Sequence, residues 1–237
     1  MIGPRCHARA PASVGMLACV ALLVFASGAA LAQAAPDYAA VVASPDRSDA
    51  DREIDKRRDP VKLLAFTGVG AGMKVLDMGA VYAQNAADLG ARAKERFEAR
   101  MKTPAMANVV ALVRPFDDPL PADVRDLDLI TFFFFYHDTT YMEVDRAEMN
   151  RKLYAALKPG GMLVIADHSA RAGDGATVGK TFHRIEEGVL RREVEAAGFR
   201  LVAEGDFLRH PEDARDFSVN RPTGPVDEFV LKFRKPN

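Results

Sequence analysis

Acidic side chains and imidazoles follow four of the apolar segments in this sequence of 237 residues. They lie in the steps Asp77-Met78-Gly79, Asp117-Asp118, Tyr136-His137-Asp138 and Asp167-His168. In an open parallel sheet, ligands bind beyond the carboxyl ends of the strands, so these groups are candidates for one shared cleft. The alternative is that they cap helices and fix loops.

His137, Asp138 and His168 have side chains suited to proton transfer or to metal binding. Imidazoles titrate near neutral pH, and a neighbouring carboxylate can orient them as a general base. The same residue types can also hold a hard metal ion. We predict His137 and Asp138 as the catalytic residues, with His137 as the base.

A third imidazole, His183, precedes Glu186 and Glu187 by three and four residues. On one helix these three side chains would lie near a single face. His137, His168 and His183 with one of these glutamates form an alternative metal site. The other interpretation is a surface salt-bridge patch with Arg184 and Arg191, and we predict no metal.

Short apolar segments alternate with amphipathic ones after residue 60. The predicted strands are Val75–Met78, Val109–Val113, Leu127–Phe135, Met162–Ala166, Phe199–Ala203 and Phe229–Phe233. The predicted helices are Ala86–Lys102, Asp145–Leu157 and Thr181–Ala197, each with an apolar stripe. Strands separated by helices of this length form βαβ units, so we predict an α/β fold with a doubly wound, mostly parallel sheet.

The N-terminus has the pattern of a cleaved export signal. Arg5 and Arg9 form a basic start, and the apolar run Val14–Ala26 is shorter than the roughly 20 residues of a spanning helix. Small residues at Ala30–Ala32 fit a cleavage site. We therefore predict a periplasmic or secreted protein with no stable membrane insertion after cleavage.

Composition narrows the function further. The 32 Lys and Arg residues nearly balance the 33 Asp and Glu residues, whereas nucleic-acid-binding domains carry a basic excess. Both cysteines, Cys6 and Cys19, lie within the predicted signal, which excludes thiol catalysis and cysteine-bound metal in the mature chain. We predict a signal peptide over residues 1–32, a polar helical extension over 33–59 and one domain over 60–237.

Three motifs resemble those of class I S-adenosylmethionine-dependent methyltransferases. Gly72–Gly79 (GMKVLDMG) resembles their first motif, Leu157–Ile165 (LKPGGMLVI) their turn into the fifth strand, and Glu193–Phe199 (EVEAAGF) their step into the sixth. The resemblance implies a Rossmann-like methyltransferase fold in which the last strand, Phe229–Phe233, is antiparallel.

The segments Tyr136–Asp138 and Asp167–Gly173 are similar to those of exported predicted methyltransferases. This resemblance implies methyl transfer from S-adenosylmethionine to an unknown, small-molecule acceptor facing His137 and Asp138. The alternative is a catalytically degenerate protein of the same fold that binds a ligand or partner outside the cytoplasm.

By the same resemblance, four residues would contact the cofactor. Asp77 and Gly79 would lie at its methionine end, and Asp117 (or the adjacent Asp118) would approach the adenine amino group. Asn85 stands where the fold usually offers an acid to the ribose hydroxyls.

The sequence departs from the family directly after Gly79. Ala80 is followed at once by Val81–Asn85, which resembles the family's second strand, so the glycine-rich turn and the helix behind it are missing. Two neighbouring parallel strands need a crossover of about a dozen residues. We therefore predict a deletion in the cofactor loop and a sheet that lacks one strand or helix.

Overall fold

The computed structural model describes residues 36–79, 95 and 97–237. The predicted signal peptide, the segment Val81–Asn85 with its predicted deletion, and most of the predicted helix Ala86–Lys102 lie outside these ranges; residues 97–101 are helical, as predicted. Within the described ranges, no helix combines the length and the apolar character needed to cross a membrane.

Three helices precede the sheet: α1 (Tyr38–Val42), α2 (Asp49–Arg58) and α3 (Pro60–Thr67). Ser48 caps α2 in a reciprocal capping box with Asp51, which satisfies two backbone N–H groups at the helix start. Gly68, with φ of 73°, ends α3 in the left-handed conformation that favours glycine. These caps define where α2 begins and where α3 ends.

Five strands form one sheet: β1 (Val75–Met78), β2 (Leu127–Phe133), β3 (Leu157–His168), β4 (Arg200–Gly205) and β5 (Glu228–Arg234). Their order across the sheet is β1-β2-β3-β5-β4. β1, β2 and β3 run parallel, whereas β5 is antiparallel to both β3 and β4. The predicted antiparallel last strand is therefore confirmed, and it lies inside the sheet.

Helices cover both faces of the sheet. Met149 of α4 (Arg146–Ala156) and Leu190 of α6 (Glu187–Ala196) pack in one apolar cluster with Ile130 of β2. Leu63 of α3 packs in a second cluster with Leu129, the preceding residue of β2. Because successive strand residues point to opposite faces, these two clusters confirm the predicted doubly wound α/β fold.

Two predicted elements are wrong. Val109–Val113 is not a strand: Val110 and Val113 are 80% and 82% exposed, so neither side chain is buried on a sheet face. The predicted helix Thr181–Ala197 is two helices, α5 (Gly179–Phe182) and α6, separated at His183–Glu186. This interruption has a direct effect on the candidate site.

Candidate active site

The 3₁₀ helix Tyr136–Thr140 carries His137 and Asp138 beyond the carboxyl end of β2. Phe134 leads into it with φ of 56°, a conformation that is unusual for a bulky side chain and turns the chain at the end of the strand. Asp167 and His168 are the last residues of the neighbouring β3. The carboxyl ends of β2 and β3 lie side by side, as predicted, and bring these four polar residues together. They are the central part of a group that we call the histidine cluster. Its members are His137, Asp138, Asp167, His168 and His183.

Asp167 is fully buried and holds His137 from two sides. Its Oδ1 lies 2.6 Å from Nδ1 of His137, and its Oδ2 accepts a hydrogen bond from the His137 backbone N–H at 2.8 Å. The backbone N–H of His168 also donates to Oδ1, at 2.8 Å. These bonds fix both the position and the ring orientation of His137.

Asp138 lies on the other side of the His137 ring. Its Oδ1 is 3.0 Å from Nε2 of His137 and 2.9 Å from Nδ1 of His183, and it accepts a hydrogen bond from the Tyr141 hydroxyl at 2.7 Å. Burial raises the pKa of Asp138, but the bonds from its partners outweigh burial and hold that pKa below its ordinary value. Asp138 is therefore a carboxylate at neutral pH.

His137 is consequently a cation at neutral pH. Burial lowers the pKa of this imidazole, but the carboxylates of Asp167 and Asp138 outweigh burial and raise the pKa to about 10. Both ring nitrogens then carry hydrogens and donate to carboxylates. In this state His137 has no lone pair with which to accept a proton.

His183 reaches the cluster because the helix stops there. It ends α5 with φ of 54°, and the next residues leave the helix: Arg184 is fully buried and Ile185 pairs with Ser169 in an isolated β-bridge. The Arg184 guanidinium donates to Asp213, with an N–O distance of 2.7 Å, in an ion pair that is itself fully buried. This anchor directs His183 towards Asp138 instead of along the face of α6.

Close packing also holds α5 against the 3₁₀ helix. A Cβ atom on Gly179 would collide with the Thr140 hydroxyl and would lie 2.7 Å from the His137 carbonyl oxygen. Only glycine permits this approach. Gly179 thereby sets the distance between the element that carries His183 and the element that carries Asp138.

A polar cavity of about 150 Å³ adjoins the cluster and is lined by Arg57, Arg58, His137, Asp138, His168 and His183, among others. The Arg58 guanidinium lies 4.1 Å from the centre of the Phe134 ring, and its buried Nε has no hydrogen-bond partner among the described residues. The cavity therefore offers cationic groups on one wall and the Asp138–His183 pair on another.

Asp77 and Gly79, two of the predicted cofactor-binding residues, lie within the described part of the chain, at and just after the end of β1. Oδ1 of Asp77 accepts a hydrogen bond from the Thr131 hydroxyl at 2.7 Å. Gly79 has φ of 76°, and a Cβ there would lie 3.3 Å from Cβ of Phe135. Gly79 is thus next to the residue that immediately precedes the 3₁₀ helix.

Asp117 and Asp118 lie near the same edge of the sheet. Phe116 stacks on Phe135 with ring centres 5.0 Å apart, which places the following Asp117 near the ends of β1 and β2. Asp118 forms ion pairs with Arg114 and with Lys152 of α4. The Asp118 carboxylate is therefore occupied by these two ion pairs. Asn85 lies outside the described residues.

No protein-family model and no curated protein sequence matches this chain. Solved structures do match it, and three have a TM-score of 0.52. A protein described as a sarcosine dimethylglycine methyltransferase from Galdieria sulphuraria is 19% identical, over 81% of this chain and 91% of that one. The glycopeptide N-methyltransferase MtfA, in complex with S-adenosyl-L-homocysteine, is 13% identical over 80% and 99%. The [4+2]-cyclase SpnF is 15% identical over 81% and 85%.

The fold is that of the Rossmann-like methyltransferases. At these identities the likeness establishes the fold, and a fold hosts more than one reaction, as the cyclase among the neighbours illustrates. The chemistry of this methyltransferase-fold chain must therefore be argued from its own side chains.

Two residues of this site, Arg58 and Glu228, were not predicted from the sequence. Arg58 lies in the polar N-terminal segment, and Glu228 lies on β5, where its Oε1 is 3.0 Å from Nδ1 of His168. Asp167 was singled out as a strand-end acid, but its role as the partner of His137 was not. Glu228 could have been indicated by a charge directly before the strand segment Phe229–Phe233, whereas Arg58 lies among other charged residues and has no such signal.

Proposed function

We propose that this chain binds S-adenosylmethionine at the carboxyl end of β1 and transfers its methyl group to a small molecule in the cavity beside His183. The observation that carries the proposal is the contact between Gly79 and Phe135. Phe135 leads into His137 and Asp138, so the cofactor-side strand end and the histidine cluster belong to one edge of the sheet.

The residues present at the end of β1 fit the cofactor's methionine end. The Asp77 carboxyl group lies there, where burial raises its pKa and the Thr131 hydroxyl donates to it, and its carboxylate form can accept hydrogen bonds from an ammonium group. Gly79 exposes its backbone in a left-handed conformation, which allows a ligand to approach closely. Asp117 is a further candidate acceptor near the same corner, because it follows Phe116, which stacks on Phe135.

Bound S-adenosylmethionine would supply a methyl group on a cationic sulfur: the acceptor nucleophile would bond to the methyl carbon in line, and the sulfur would leave with the C–S electron pair as S-adenosylhomocysteine. The chain's part is to position the acceptor, exclude water and take up a proton where the acceptor carries one. The sequence favours His137 as this base. In the described geometry both nitrogens of His137 face carboxylates, and we therefore assign the proton to Nε2 of His183.

Asp138 prepares His183 for that role. When the His183 Nδ1–H donates to Asp138, the neutral ring keeps its lone pair on Nε2. Oxygen or nitrogen nucleophiles that lose a proton on methylation fit this arrangement. The cationic Arg57 and Arg58 on the cavity wall favour an acceptor that carries negative charge.

Calorimetric titration of the full chain with S-adenosylhomocysteine tests the proposal, with Asp77→Asn as the variant. We expect the wild type to bind and D77N to bind at least tenfold more weakly. The matched control is Asp216→Asn, which removes an exposed carboxylate paired with Arg171. Absence of binding at millimolar ligand would refute the proposal.

A second measurement separates catalysis from simple binding. Transfer of labelled methyl from S-adenosylmethionine to a panel of small carboxylic acids, amines and phenols should occur with the wild type and decrease in His183→Ala. Ligand binding with no transfer to any acceptor would instead favour the degenerate binding module.

We also propose that the chain is exported and cleaved near residue 32, on the basis of its basic start and short apolar run. Expression of the full chain in a bacterium, with N-terminal sequencing of the periplasmic and secreted fractions, tests this. A cytoplasmic protein that keeps residues 1–32 would contradict export.

A further inference from the structure

We infer that His137, Asp138 and His183 form a binding site for one divalent transition-metal ion. Each residue offers one ligand atom, and these atoms all lie within 4.8 Å of one another. The inference rests on these side chains alone and does not require the proposed methyl transfer. It also differs from the alternative metal site considered from the sequence, because Asp138 takes the place of His168 and a glutamate. With an ion on Nδ1 of His183 the ring proton lies on Nε2, so metal binding and the base role of His183 are alternative states of the cluster.

The distances are close to those in the ligand shell of such an ion. Nitrogen and oxygen ligands lie about 2.1 Å from zinc, so two ligands of a tetrahedral ion are about 3.4 Å apart. Oδ1 of Asp138 lies 3.0 Å from Nε2 of His137 and 2.9 Å from Nδ1 of His183. A small movement of the side chains, with release of the proton that Nε2 of His137 carries in the metal-free protein, would place an ion among the three atoms.

The surroundings of His137 provide an independent argument. A metal-binding histidine almost always donates its second ring N–H to a carboxylate or carbonyl, which fixes its tautomer and orientation. Nδ1 of His137 has such a partner in Asp167, at 2.6 Å, and Asp167 is itself held by two backbone N–H groups. This arrangement leaves Nε2 of His137 directed at Asp138.

Asp138 is oriented in a similar way. The Tyr141 hydroxyl donates to its Oδ1 at 2.7 Å, which limits rotation of the carboxylate. His183, with 23% of its side chain exposed, is the most accessible of the three ligands. An ion can therefore enter from the side of the cavity that His183 lines.

The ligand types select the class of metal. Two imidazoles and one carboxylate suit zinc, iron(II), cobalt(II) or manganese(II), whereas calcium and magnesium prefer oxygen ligands throughout. Three protein ligands leave coordination positions for water or for a ligand oxygen. Arg57 and Arg58 line the same cavity, so an anionic oxygen ligand would complete the ion's shell at the least electrostatic cost.

Metal titration of the full chain, freed of metal by a chelator, tests the inference. We expect one zinc ion per chain by calorimetry, and cobalt(II) bound with the visible absorption bands of a nitrogen- and oxygen-ligated site. His183→Ala and Asp138→Asn should each weaken zinc binding at least tenfold. The matched control is His210→Ala, because His210 is exposed and faces Glu212 outside the cluster.

These two variants also distinguish loss of a metal ligand from loss of folding as the cause of weaker zinc binding. Asp138→Asn preserves the shape of the side chain and His183 is partly exposed, so both should keep the circular dichroism spectrum of the wild type. Wild-type protein that binds neither zinc nor cobalt, or a His210→Ala variant that loses as much affinity as His183→Ala, would overturn the inference. Titration with S-adenosylhomocysteine in the same preparations reports on the proposed function separately.

Discussion

Nδ1 of His168 lies 3.0 Å from Oε1 of Glu228, and both side chains are buried. Neither atom has a hydrogen-bond partner among the described residues. The two atoms are therefore close enough for an ion pair, but their geometry is not that of a hydrogen bond. Burial lowers the pKa of His168 well below its ordinary value and raises the pKa of Glu228 to about 7. Burial therefore favours the neutral form of each of the two side chains.

Glu228→Gln should make the protein more stable in mild alkali. Glu228 titrates near 4.5 when unfolded and near 7 when folded, so the folded state binds more protons between these values and stability falls as the pH rises through them. At 1.36 kcal/mol per pKa unit the loss is about 3 kcal/mol by pH 8. Urea unfolding should show equal stability of variant and wild type near pH 4, and a gain in the variant at pH 8.

The control for this prediction is Glu53→Gln, on the exposed surface of α2. Its stability relative to the wild type should not change with pH. A Glu228→Gln gain of the same size at pH 4 and pH 8 would mean that ionisation of Glu228 is not the cause.

Gly79→Ala should weaken S-adenosylhomocysteine binding at least tenfold. The new Cβ would press on Phe135 at 3.3 Å and would shift the backbone that the cofactor is proposed to approach. Gly72→Ala is the matched control, because Gly72 has a similar φ of 80° but nothing within 4 Å of the added atom. Both variants carry similar backbone strain, so equal affinities by calorimetry would exclude a ligand contact at Gly79.

Arg184→Met should destabilise the fold by about 3 to 5 kcal/mol, because it leaves the Asp213 carboxylate buried without its cation. Arg171→Met removes an exposed ion pair with Asp216 and should cost less than about 1 kcal/mol. Urea unfolding at neutral pH measures both. Similar losses in the two variants would show that the buried pair is not the anchor of the His183 segment.

Gly179→Ala should also destabilise the protein, by about 1 to 3 kcal/mol, because the added methyl group collides with Thr140 and the His137 carbonyl. In contrast, Gly188→Ala on α6 should be neutral or stabilising, since its Cβ meets only the flexible end of Arg192 at 3.3 Å and alanine favours the helix. Thermal unfolding compares the two directly. A neutral Gly179→Ala would mean that α5 can move away from the 3₁₀ helix without loss.

The sequence was sufficient for the five strands of the described sheet and for the position of its polar edge. Leu127–Phe133 is a continuous apolar run, and this composition is typical of a strand covered on both faces. The expectation that His137 and Asp167 lie at one edge needed only the rule that parallel strands end together. Val109–Val113 has the same apolar character, but a strand requires a neighbouring strand, and composition does not report whether one is available.

The location of His183 could not be predicted from local sequence. The apolar stripe through Thr181–Ala197 favours one continuous helix, and the break depends on contacts between distant parts of the chain. Arg184 is held by Asp213, and Ile185 pairs with Ser169. Long-range pairing outweighs helix propensity here, because a buried guanidinium without its carboxylate would cost several kcal/mol.

The position of β5 between β3 and β4 governs the order of assembly. β4 has β5 as its strand neighbour in the described sheet, so its backbone cannot pair before residues 228–234 have been synthesised. Glu228 arrives beside His168 with that same strand. Completion of the sheet on the ribosome, and of the buried surroundings of His168, must therefore wait until residues 228–234 have been synthesised.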